Sequence, residues 1–259
     1  MSFLSERSPS QMVGTVIGLI LLSLATRAWM AGGLEELMNP GKRAENQIVA
    51  ALENNPGDLA VLRAMERHFP LDYDRLLDTM SSAALRSAPP EQVMEAGSLA
   101  VARFMQQHAN DFASAPEDRL DGVLALETEL IETLNRSDPL ACGDYLHGTV
   151  QQGDLLLPRV RELMGEVAAA KVAAMAAGRE NPALRLLVNG KHVQDLASDM
   201  RAMGASMAQL TFIVEGRGGE ALTEQEQCSA GVHLVHAIAG RPDAERVLLI
   251  GTLLGTGGR

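Results

Sequence analysis

Two histidines three residues apart, His233 and His236, carry the only spacing in this chain that resembles a metal site. On a helix, positions i and i+3 share a face, so both imidazoles can meet one ion, with Cys228 or Glu226 a turn or two away. Zinc asks for three or four ligands, and no second motif supplies the rest; two histidines satisfied by hydrogen bonds or by solvent are the plainer reading. Glu127 is a second candidate. It falls at the edge of an otherwise apolar helical stripe, where burial would raise its pKa and where reaching out to solvent is the commoner outcome. Cys142 and Cys228 are the two cysteines. They can close a long loop in an oxidising compartment or sit as small buried hydrophobes in a reducing one, which makes a disulfide conditional on export.

Other chemistry is missing from the sequence. It contains no His-Glu-x-x-His, no Gly-x-Ser-x-Gly elbow and no Cys-x-x-Cys. Gly216-Arg-Gly-Gly219 and Gly255-Thr-Gly-Gly258 hold glycines, but neither precedes a Lys-Ser/Thr pair, so phosphate cradling has no support. The formal net charge of −11, with Lys42, Lys171 and Lys191 as the only lysines, excludes a phosphate-neutralising surface and hence nucleic acid as a partner. No cofactor is expected.

The elements that would position these residues are helices. Aromatic residues make up 3% of the chain while methionine numbers 13 and alanine is abundant, a mixture that keeps side-chain freedom in a helix. No period-two run of strand type is found, and the expected class is all-α.

The N-terminal part stands apart. Ser8–Thr26 holds no charge, and its apolar heart, Met12–Ala25, includes Met12, Val13, Val16, Ile17, Leu19, Ile20, Leu21, Leu22 and Leu24. Thr15 and Ser23 are its only polar residues, which leaves no polar face for a surface helix of a soluble domain. At 14 residues it lies between a signal-peptide core and a span, and reading on through Arg27 and Trp29 reaches spanning length. The expected reading is a single membrane span or signal segment. Orientation cues conflict: Arg7 before the run against Arg27, Lys42 and Arg43 after it places the bulk inside, whereas a short tail before a long body is the layout of an export signal. The export layout is preferred, which puts the body on the extracytoplasmic, periplasmic side.

The expected organisation is a hydrophobic segment with its flanks over 1–34, a linker over 35–43, and two helical subdomains over 44–156 and 157–259. Helices are expected over Ala44–Asn54, over Leu59–His68, after Asp72, from Pro90, after a capping box at Ser114–Glu117, and after Asp138-Pro139. Leu59–His68 and Leu99–His108 match at six of ten positions and hint at stacked helix pairs. Pro158 opens a helix with a seam of Val160, Leu163, Val167, Ala170, Ala174 and Ala177, closed by Gly178. The next helix carries Val193, Leu196, Met200, Met203, Met207, Leu210 and Val214, again spaced 3,4, with Asn189 continuing the register backwards. Joined by a short turn, these two are expected to form a long antiparallel heptad-patterned hairpin, whose seam serves core packing first and partner binding second. A capping box at Thr223–Glu226 starts the His233 helix, and Asp243 starts a last apolar one through Leu254.

Three functional readings follow. The first is a membrane-tethered helical body that binds or scaffolds other proteins, with self-association open. The second is a metal-binding or enzymatic domain centred on His233 and His236. The third is a soluble cytosolic helical domain.

Overall fold

The computed structural model describes residues 56–86, 90–147, 156–185 and 187–255. The uncharged run, the linker and the helix expected over Ala44–Asn54 lie outside the described residues. Among those described, eleven α-helices and no strand are found, and no helix is long and apolar enough to cross a membrane.

The helices are α1 (Pro56–His68), α2 (Pro70–Leu85), α3 (Pro90–Gln107), α4 (Ala109–Ala113), α5 (Glu117–Ser137), α6 (Pro139–His147), α7 (Pro158–Glu180), α8 (Gly190–Ala202), α9 (Met207–Glu215), α10 (Glu224–Ala239) and α11 (Asp243–Leu249). A π turn over Ile250–Leu254 follows the last. Five of the helices begin on a proline, which fixes φ where the first N–H needs no intrahelical partner. Thr223 opens α10 by the expected reciprocal box, its hydroxyl accepting from Glu226 N–H while the Glu226 carboxylate accepts from Thr223 N–H. The box expected at Ser114 does not form. Pro116 takes the N-cap position of α5, and the Ser114 hydroxyl turns back to donate to the Asn110 carbonyl.

α7 is the central element. Twelve of its residues are buried, among them Val160, Leu163, Val167, Ala174 and Met175, because α1, α4 and α5 all pack on it. One apolar core therefore runs from Val61 to Ile250 and crosses the boundary expected near residue 157, so the two subdomains read from the sequence share a core.

Glycines set how closely α7 is approached. A Cβ on Gly165 would stand 2.2 Å from the Gly57 carbonyl oxygen, and one on Gly178 would stand 1.8 Å from that of Asp111. Gly178 is thus a packing residue inside the helix; the chain continues to Glu180 and is capped at Asn181, in place of the expected stop. We expect Gly178→Ala to cost upwards of about 1–3 kcal/mol, since the collision is with backbone that cannot swing aside. A urea midpoint lowered at unchanged slope checks it.

The expected long hairpin does not form. α7 and α8 are separated by the stretch over 181–189 and pack on different partners, α7 on α1, α4 and α5, and α8 on α10. Nor is the second helix continuous. α8 ends at Ala202, Gly204 adopts φ +104°, and Ser206 opens α9 with its own capping box to Gln209. Of the seven seam positions Leu196, Met200 and Leu210 are buried, Val193 is half-buried, and Met203, Met207 and Val214 are exposed. Asn189 is the N-cap of α8, accepting from the Lys191 and His192 N–H groups, and has no part in a helical register.

Candidate functional site

The most unusual chemistry lies where α5, α6 and α7 meet. Glu127 of α5 and Lys171 of α7 are 3% and 4% exposed, and Lys171 Nζ lies 2.5 Å from Glu127 Oε1. Tyr145 of α6 turns its hydroxyl inward and donates to Glu127 Oε2 at 2.6 Å. Glu127 therefore does not reach solvent, contrary to the commoner expectation for a stripe-edge carboxylate. Buried charges persist only when paired and hydrogen-bonded, and here each carboxylate oxygen has its own donor. Burial first, then the charge of Glu127 and the hydrogen bond to it, hold the Tyr145 phenol well above its ordinary value of 10.0.

The linkage sign follows. The folded protein keeps the phenolic proton to higher pH than the unfolded chain, so this contribution is whole below about pH 10 and is lost as pH rises from there towards the folded value. We expect Tyr145→Phe to flatten the alkaline fall of the urea midpoint relative to the parent. An unchanged alkaline limb would mean that other groups dominate it.

Beside the trio, Cys142 of α6 and Cys228 of α10 form a disulfide with a Cα–Cα distance of 5.4 Å and 86 residues of sequence separation. Both are fully buried. Cys228 Sγ also lies 4.0 Å from the carbonyl of Ile131, one turn beyond Glu127 on α5. Four helices thus converge on adjoining polar and covalent links. With both oxygens of Glu127 occupied and its ammonium partner sealed in, the arrangement orients helices; it does not present a reactive group to a ligand.

The histidine pair behaves differently. His236 Nε2 lies 2.9 Å from Glu132 Oε1 and ties α10 to α5, while His233 Nδ1 is buried without a hydrogen-bond partner. Burial, with a smaller effect of His236, lowers the His233 pKa. Among the described residues, no group of three or more His, Cys, Asp or Glu is placed to hold a metal ion.

His68 and His108, the last residues of the two similar decapeptides, take different roles. His108 Nδ1 lies 2.7 Å from Asp111 and its Nε2 lies 3.6 Å from Asp72, linking the starts of α2 and α4. Its ring packs at a tilt against Phe69 and Phe104, and the Arg179 guanidinium sits 4.3 Å from the Phe69 ring centre. His68 contributes its carbonyl, which accepts from Arg179.

One surface feature was invisible to the periodicity argument. Between α7 and α8 the chain is pinned by Ala183 N–H to the Ser114 carbonyl and by Arg185, whose guanidinium donates to the carbonyls of Ala113 and Ala115. Leu184, between these pins, is 102% exposed, and Leu187 is 88% exposed. Leucines in a stretch bounded by Asn181-Pro182 and Asn189-Gly190 were the available signal.

No family model matches this chain, and neither the curated proteins nor the solved structures contain a match to it.

Proposed function

We propose that this is a membrane-tethered α-helical protein whose body lies on the extracytoplasmic side and works by binding other proteins. The observation that carries the reading is the Cys142–Cys228 bond between two fully buried cysteines, because disulfides form and persist in oxidising compartments. The uncharged run Ser8–Thr26 supplies the tether. The positive charges flanking that run favour the opposite orientation; a handful of such charges weighs less than a bond that needs an oxidant to form. Support for a binding role comes from Leu184 and Leu187, both left exposed between α7 and α8, since apolar side chains gathered in one exposed patch mark interaction surfaces. The metal reading of His233 and His236 has less behind it, since His236 is engaged by Glu132 and no third ligand adjoins among the described residues.

A C-terminal export-dependent reporter fused to the full chain, and to the chain lacking Met12–Ala25, tests this. We expect activity only in the first, together with a mobility shift of the first on reduction. Equal activity in both fusions, or a chain recovered with two free thiols, would remove the reading.

A further inference from the structure

α6 is a weak helix in a demanding place. Its nine residues fall short of the length at which an isolated helix holds, and Ala141 and Cys142 are the only side chains it buries fully. Small-residue contacts, Gly143 against Gln227 and Gly231 against Leu146, bring it close to α10, and Tyr145 and Leu146 are only partly buried where they pack against the core. Yet this short helix supplies the second donor to a buried carboxylate. Cys142 and Tyr145 stand three residues apart and so share one side of α6. The covalent link to α10 and the hydrogen bond to α5 therefore pull on the same face.

We propose that the Cys142–Cys228 bond is the latch that seats α6: in the reduced chain α6 lifts and the Glu127–Lys171 pair opens to water, and in the oxidised chain the trio closes. The closing step joins Sγ of Cys142 to Sγ of Cys228. The two thiols give up two electrons and two protons to an oxidant of the disulfide class, whose own disulfide is reduced to two thiols. Both sulfurs are fully buried once closed, so an incoming thiolate reaches either one only with α6 lifted. The bond forms within reach of solvent and is shielded afterwards, which makes the latch one-way under mild reductants. The inference rests on the same bond that supports the extracytoplasmic reading, but its test does not depend on where the protein resides.

Hydrogen exchange on the full-length protein in detergent, oxidised parent against Cys142→Ala/Cys228→Ala, decides it. We expect the α6 amides to exchange at least about 100-fold faster in the variant while α5 and α7 keep most of their protection. In the oxidised Tyr145→Phe protein α6 protection should fall by less than about tenfold, which assigns the latch to the bond and not to the phenol. In the reduced parent both thiols should react with N-ethylmaleimide without denaturant. Unchanged α6 protection in the double-cysteine variant, protection lost across the whole body, or unreactive thiols in the reduced parent would each overturn the proposal.

Discussion

Replacing Lys171 with methionine is expected to destabilise the protein by roughly 3–5 kcal/mol, the usual cost of stripping one partner from a buried ion pair. The substitution keeps most of the side-chain volume, so the loss comes from the Glu127 carboxylate left in the interior with the Tyr145 hydroxyl as its remaining donor. Removing the polarity entirely, with Glu127→Leu, Lys171→Met and Tyr145→Phe together, is expected to recover most of that loss. A buried pair can often be exchanged for apolar side chains at little net cost. Urea unfolding of the three single variants and the triple variant checks this, with the midpoints compared at constant slope. A triple variant as unstable as Lys171→Met would mean that the cost lies in packing and not in charge. Recovery in the triple variant would assign the cluster a part in placing the helices and little part in net stability.

The second large effect is expected from Cys142→Ala/Cys228→Ala. Closing a loop across 86 residues removes chain entropy worth about 4.5 kcal/mol in the loop-closure account, and loss of native disulfides generally costs about 2–5 kcal/mol. The parent under reducing conditions should fall by the same amount, whereas the variant should be insensitive to reductant. A reduced parent as stable as the oxidised one would show that the bond constrains little in the unfolded chain.

Much of the helical skeleton was legible. Prolines at 90, 139 and 158 mark helix starts because each removes an N–H that would be unsatisfied anyway, and Thr223 with Glu226 announces α10; α2 begins at Pro70, ahead of the start expected after Asp72. The broken seam was misread for a specific reason. Met203 and Met207 are four apart, so apolar periodicity runs straight across Gly204, although a left-handed residue there ends the helix. The contrary signal was present in Ser206-Met-Ala-Gln209, which has the same capping-box form that was recognised at Thr223. Gly178 was read by its usual role after a helix, when its missing Cβ serves the crossing of α4. Of the buried trio only Glu127 stands out as a candidate in the sequence. Its partners lie 18 and 44 positions away, and one sequence carries no measure of which stripes face each other. Lys171 did leave a trace, as the lone charge within the apolar stretch Val167–Gly178. The pairing of Cys142 with Cys228 depended on a distance that sequence spacing does not encode.

The central position of α7 has a consequence for the order in which the chain can become a protein. α1, α4 and α5 each rest on a helix that ends at Glu180, so the helices before it have no complete core until that residue is available. A chain delivered from its N-terminus, whether from the ribosome or across a bilayer, must hold more than 100 residues of α1–α6 and their connections only partly packed. Such long-range closure slows folding. For an exported chain that delay is useful, since a body that cannot finish packing early stays threadable until most of it has passed.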